Sequence, residues 1–155
     1  MIEVKAAGFR DIPAIYNIEL RSFEYPYAHG ILQQILELAG ACPYIGKYGE
    51  RGVSWGFGVH HIEDAEMEVK RIGTHPDYRQ KGFARTVVGH IWNEAVKREC
   101  KKITLVVPEY QMDPDDIDSV YDFVWKMGLR ATGLEKEYFY RYGRKYDGIK
   151  LERAT

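Results

Sequence analysis

The chain has 155 residues and a formal net charge of −1, with 45% apolar and 29% charged residues. That length and composition predict a folded globular protein made of one domain over residues 1–155. A charge near zero lacks the basic excess expected of a dedicated nucleic-acid binder, and no apolar window is long enough for a membrane helix. Residues 1–10 lack the apolar run of a secretory signal, which predicts a cytoplasmic location. Cys42 and Cys100 stand too far apart to read as a zinc pair, so two packed, reduced thiols are expected.

Ile2–Ala6 alternates apolar and polar residues, as a short strand does. Asp11 can cap a helix that holds Pro13 in its first turn, with Ile12, Ile15, Tyr16, Ile18 and Leu20 as its apolar face. An aromatic, irregular stretch follows over 22–30. A second helix carries Ile31, Leu32, Ile35, Leu36 and Leu38 and is expected to stop at Gly40. Three strands are predicted near 43–48, 53–62 and 66–74; in the middle one Val53, Trp55, Phe57 and Val59 alternate with Ser54, Gly56 and Gly58. From Gly82 to Cys100 the period becomes helical, with Phe83, Val87, Val88, Ile91, Trp92, Ala95 and Val96 on one stripe. Ile103–Val107 reads as a buried strand ending at Pro108. A helix is expected from about Ile117 to Met127, ended by Gly128. Arg130–Glu152 reads as two strands joined around Gly143–Arg144. The order β-α-α-β-β-β-α-β-α-β-β predicts an α/β (α+β) fold: a mixed, mostly antiparallel seven-stranded sheet flanked by about four helices.

The junction between the third of these central strands and the long helix carries the chemistry. It runs from Glu66 through Thr74, His75-Pro76-Asp77-Tyr78 and Arg79-Gln80-Lys81-Gly82-Phe83-Ala84 into Arg85-Thr86. The first N–H groups of a helix have no internal partner and lie at the positive end of its dipole. Gly82 lets an anion approach the backbone, and Arg79, Lys81 and Arg85 add positive charge. A diphosphate or similar polyanion suits such a turn; a solvated charged loop is the plainer alternative. There is no Gly-Lys-[Ser/Thr] triplet and no three-glycine dinucleotide fingerprint, so two familiar phosphate loops are excluded.

Arg79-x-x-Gly82-x-Ala84 resembles the [Gln/Arg]-x-x-Gly-x-[Gly/Ala] signature of the GNAT acyl-CoA N-acyltransferases, and the flanking Ile72-Gly73-Thr74-His75-Pro76-Asp77-Tyr78-Arg79 resembles the family's strand end and turn. The element order is similar over nearly the whole chain. The resemblance implies that acetyl-CoA is the cosubstrate, with its pyrophosphate held by Arg79, Gln80, Lys81, Gly82, Phe83 and Ala84, and with Arg85 and Thr86 adding side-chain contacts. It implies pantetheine contacts from the main chain of Ile72, Gly73 and Thr74 in a splay between the fourth and fifth strands. The Ile72 N–H would polarise the acetyl carbonyl.

An ammonium acceptor must lose a proton before it attacks, and a strand carboxylate can take it. Glu68 matches the position where several family members place a glutamate base, and Glu66 shares its face by period two. The family's usual acid for the leaving thiolate is a tyrosine one helical turn before the glycine that ends the last helix. This chain has Val124 there, so Tyr121 is the substitute candidate and Tyr110 a weaker one. His60 and His61 neighbour Glu63 and Asp64, but adjacent strand residues point to opposite faces, so no metal site is expected. The acidic run 113–118 is either a solvated loop or an attraction for a cationic acceptor.

Phe23, Tyr25 and Tyr27 in the first interhelical loop, with Tyr138 and Tyr140 on the strand before the last hairpin, are expected to wall the acceptor groove, and Glu66, the second candidate base, is counted among the acceptor-binding residues. These stretches are similar to the RimI-like N-acetyltransferase branch, which implies a protein N-terminus or peptide amine as acceptor. A small amine such as a polyamine or an amine antibiotic is the alternative, and a non-catalytic acyl-CoA-binding module is the third reading. The chain is expected to be a monomer, or a homodimer paired through strand edges of the last hairpin.

Overall fold

Seven stretches of extended backbone pair into one sheet in the order β1-β2-β3-β4-β5-β7-β6. The computed structural model describes residues 1–116 and 119–155. The strands are β1 (Glu3–Ala6), β2 (Ala41–Tyr48), β3 (Arg51–His61), β4 (Glu66–Thr74), β5 (Lys102–Pro108), β6 (Arg130–Arg141) and β7 (Arg144–Ala154). The α-helices are α1 (Ile12–Ser22), α2 (His29–Glu37), α3 (Phe83–Lys97) and α4 (Tyr121–Lys126). All strand pairs are antiparallel except β4 with β5.

That one parallel pair is short. It runs from Glu66↔Lys102 to Val69↔Leu105, while β4 continues to Thr74 and β5 to Pro108. The strands therefore part beyond Val69 and Leu105, which is the expected splay. A bulge marks the same place: Phe57 faces Arg71 and Gly58 faces Val69, so Lys70 has no opposite number on β3. An extra residue bends and twists a strand locally, and here it turns β4 away at its first position beyond the pairing with β5.

Each face of the sheet holds its own core. On one side α1 and α2 bury Ile12, Ile15, Ile18, Leu32 and Ile35 against Ile45, Trp55 and Phe57. On the other, Ile91 and Ala95 of α3 and Val124 of α4 join Met67, Val69, Leu105 and Leu151. Helices on both faces explain why β3 is buried without interruption from Gly52 to Gly58, although its sequence alternates. Cys42 and Cys100 are free thiols inside the second core, and burial raises the pKa of both.

Several local expectations are corrected. Leu20 is 51% exposed, and Glu19, not Leu20, completes the inner face of α1. Ile31, Leu38 and Val96 are exposed as well. α2 ends at Glu37, and Gly40 lies beyond it in the turn to β2. The last helix begins only at Tyr121, preceded by a short 3-10 turn over Glu109–Met112; Ile117 and Asp118 lie outside the described residues.

Candidate active site

Three elements converge where β4 leaves β5: the free end of β4, the turn into α3, and the loop between α1 and α2. The turn adopts the left-handed conformation twice, at Gln80 (φ 62°) and at Gly82 (φ 79°), the residue that caps α3. Glycine adopts this conformation at little cost, and nothing but the tip of Arg85 lies near the place of a Cβ. Thr86 donates both its N–H and its hydroxyl to the Gly82 carbonyl, which closes the first turn of α3. The N–H groups from Gln80 to Arg85 have no acceptor among the described residues. Arg79, Lys81 and Arg85 pair with no carboxylate among the described residues, so their positive charge is uncompensated at short range. Arg79 instead folds back, its Nε donating to the Thr74 carbonyl at 3.1 Å.

The free end of β4 is anchored from the opposite face. Ser22 donates to the Thr74 carbonyl at 3.0 Å, and Ser54 donates to the Gly73 carbonyl at 3.1 Å. Thr74 Oγ1 lies 3.0 Å from the Ser54 hydroxyl. Gly73 has a steric reason to lack a side chain: a Cβ would come within 2.7 Å of the Phe23 ring. The loop between α1 and α2 therefore sits directly on the strand that carries Ile72, which is itself half-buried.

Glu66 and Glu68 lie on β4 at the level of its pairing with β5. Glu68 Oε1 is 2.8 Å from His61 Nε2, and Lys70 donates to Oε2 at 3.4 Å. Its side chain is 23% exposed. Glu66 accepts a hydrogen bond from the Thr104 hydroxyl of β5. Thus the two carboxylates differ: Glu66 is tied to the neighbouring strand, and Glu68 is held by two polar side chains at its rim.

The aromatic wall is organised by residues the sequence patterns did not single out. Glu19 is fully buried, and its carboxylate accepts from Arg71 Nη2 (2.6 Å), Arg71 Nε (3.2 Å), Trp55 Nε1 (2.9 Å) and the Tyr27 N–H (2.8 Å). Removing one partner from such a pair leaves an uncompensated buried charge, a loss of roughly 3–5 kcal/mol. One signal for Glu19 was present: it stands one helical turn after Ile15, on a stripe that should be apolar. Across the groove, Tyr138 and Tyr140 lie on the edge strand β6, about half exposed, and Tyr138 and Phe139 pack toward Gly148. The β6–β7 hairpin meets the loop between α1 and α2 at its turn, where the Tyr142 N–H donates to Glu24.

Tyr121 opens α4, with its ring 6.3 Å from that of Trp125. Val124 is buried in the core. Tyr110 packs edge-on against Tyr146 at 4.9 Å, under the guanidinium of Arg141. Arg141 also pairs with Asp116 at 3.0 Å, so the acidic loop is partly neutralised from within the chain. No group of three or more potential metal ligands, and no helix long and apolar enough to cross a membrane, is found among the described residues.

A sheet that opens after one parallel pair, above a cationic helix N-terminus, defines an acyltransferase-type fold. The Acetyltransferase (GNAT) family model matches residues 12–113. The chain belongs to this family. It is 33% identical over 51 residues to an uncharacterized N-acetyltransferase from Yersinia pestis, a match spanning 33% of this chain and only about a third (34%) of that relative. Its fold is similar to the Escherichia coli ribosomal-protein-S18-alanine N-acetyltransferase, with a TM-score of 0.84 at 17% identity, covering 99% of this chain and 94% of that one. It is also similar to a phosphinothricin acetyltransferase from Sinorhizobium meliloti solved with AcCoA, with a TM-score of 0.78 at 14% identity, covering 99% and 88% of the two chains.

Proposed function

We propose that the protein is an acetyl-CoA-dependent N-acetyltransferase that acts as a single domain, transferring acetyl to a primary amine by direct attack in a ternary complex. The observation that carries this reading is the alignment of two features: main chain freed where β4 leaves β5, and unpartnered N–H groups with three cations at the start of α3. A diphosphate fits the second and an extended amide-containing arm fits the first.

Bound acetyl-CoA supplies the acetyl thioester. The chain supplies the rest. The N–H groups of residues 80–85, with Arg79, Lys81 and Arg85, hold the pyrophosphate, and Thr86 fixes the turn. The main chain of Ile72, Gly73 and Thr74 aligns the pantetheine arm. The Ile72 N–H donates to the acetyl oxygen, where negative charge develops during attack. Glu68 accepts the proton released by the acceptor ammonium, and Glu66 orients Thr104 beside it. Tyr121 is the proton donor to the departing thiolate, standing in for the side chain that Val124 lacks.

The acceptor is a protein N-terminus or peptide amine. Phe23, Tyr25 and Tyr27 on one side and Tyr138 and Tyr140 on the other supply aromatic walls with polar tips, which suit an extended chain end. The experiment is twofold. Calorimetry is expected to show micromolar binding of acetyl-CoA, and its absence would remove the reading. A screen of peptides and polyamines, followed by free-thiol release, is expected to favour peptides; acetylation of polyamines alone would replace the acceptor class. Binding of acetyl-CoA with no turnover on any amine would support an acyl-CoA-binding module instead.

A further inference from the structure

Arg71 stands on β4 between the bulge at Lys70 and Ile72. Besides its two bonds to Glu19, its Nη2 donates to the Tyr25 carbonyl at 3.0 Å. Its guanidinium carbon lies 3.6 Å from the centre of the Phe23 ring and 4.0 Å from that of Tyr27. Two of the loop's three rings and one of its carbonyls therefore meet on a single side chain of β4. These contacts require arginine and not merely a cation. The carboxylate takes two donors in a fork, and the rings take the planar face.

Anchoring α1 does not need Arg71. Ile12, Ile15 and Ile18 already pack that helix onto the sheet, and Trp55 holds Glu19 independently. Phe23 also rests on Gly73 and the Tyr27 N–H donates to Glu19, but Arg71 is the side chain of β4 that holds two rings and a carbonyl of the loop at once, at the position next to Ile72. We propose that Arg71 is a positioning residue of the acceptor site: it sets the conformation of the loop 23–27 relative to the acetyl group, and so governs amine binding without touching the amine. This rests on the acetyltransferase reading for its catalytic consequence, though not for its structural one.

Arg71→Lys keeps the charge and loses the fork and the flat face. Amide hydrogen exchange at 23–27 is expected to rise about tenfold, with exchange at 79–86 unchanged. The KM for the best peptide acceptor is expected to rise about tenfold, while the calorimetric Kd for acetyl-CoA stays within about twofold. The double variant Glu19→Gln/Arg71→Met leaves no unpaired buried charge and keeps an amide oxygen to accept the Tyr27 N–H, so it provides the same reading if the lysine variant does not fold. Parental exchange in the loop, a parental amine KM, or an equal rise in acetyl-CoA Kd would each overturn the proposal, as would failure of both variants to fold. Loop exchange needs no acyl transfer, so a protein that ignores acetyl-CoA would sink the proposed function while leaving Arg71 to be judged by exchange alone.

Discussion

The backbone N–H of Tyr142 donates to the carboxylate of Glu24 across 3.2 Å, joining the tip of the β6–β7 hairpin to the loop between α1 and α2. Both residues are exposed, and Tyr142 holds a φ of 51° in the hairpin turn. The contact spans the proposed acceptor groove. Glu24→Ala should cost less than about 1 kcal/mol of stability, because the bond is solvent-accessible. It should nonetheless speed amide exchange at 142–144 and raise the amine KM, with acetyl-CoA binding unaltered. Exchange rates at the hairpin tip, measured by mass spectrometry, check this; unchanged rates would mean that the bond does not hold the hairpin.

Glu68→Gln should preserve the hydrogen-bonding shape at the rim while removing the proposed proton acceptor. Turnover is expected to fall about 10²–10⁴-fold, the usual range for a positioned general base. Calorimetric affinity for acetyl-CoA should stay at the parental value. Turnover that survives intact would assign the proton to another group, with Glu66 next in line.

At Gly82 the penalty for a side chain is conformational and not steric, since φ is 79° and only the Arg85 tip is near. Gly82→Ala should destabilise the fold by about 1–2 kcal/mol and weaken acetyl-CoA binding as the N–H groups lose their aim. Arg79, Lys81 and Arg85 make the same interaction electrostatic at range, so the parental affinity should fall as salt shortens the Debye length from about 10 Å at 0.1 M to about 3 Å at 1 M. Titrations at three salt concentrations test the point, and a flat response would rule out a polyanion at the turn.

His75 is 2% exposed, and its Nδ1 accepts the Asp77 N–H at 3.2 Å. Burial lowers its pKa below 6.5; Asp77 pulls upward, while Arg51, Arg21 and Arg79 add to the lowering. The unfolded chain therefore takes up a proton at this histidine before the folded chain does. Its contribution is fully present above the unfolded pKa and is lost as pH falls from there through the folded pKa. The parental Tm should drop between pH 7 and pH 5, and His75→Asn should drop less. Equal slopes in thermal melts would remove His75 as the source.

The α3 turn was legible in the sequence because it is local: a glycine, three cations and the start of an apolar stripe fall within one short run. The succession of strands and helices along the chain was legible for the same reason, through periods and breakers. Glu19 with Arg71 was not, because a buried ion pair between a helix and a strand far along the chain leaves no spacing to read. Leu20 was misassigned because a helix face on a twisted sheet covers fewer positions than its apolar residues could fill, and Leu38 because α2 ends at Glu37 and leaves it in extended backbone. The start of α4 at Tyr121 was misplaced because the connection from β5 begins with a 3-10 turn over Glu109–Met112 and is held by the Asp116–Arg141 ion pair, which depends on the distant β6.

The parting of β4 and β5 has an evolutionary consequence. A ligand gripped mainly by peptide groups is indifferent to which side chains decorate them, provided that the chain still opens at the same point. Side chains elsewhere on those strands could then change without loosening such a grip. This would let whole-chain folds agree at TM-scores of 0.84 and 0.78 where identity has fallen to 17% and 14%.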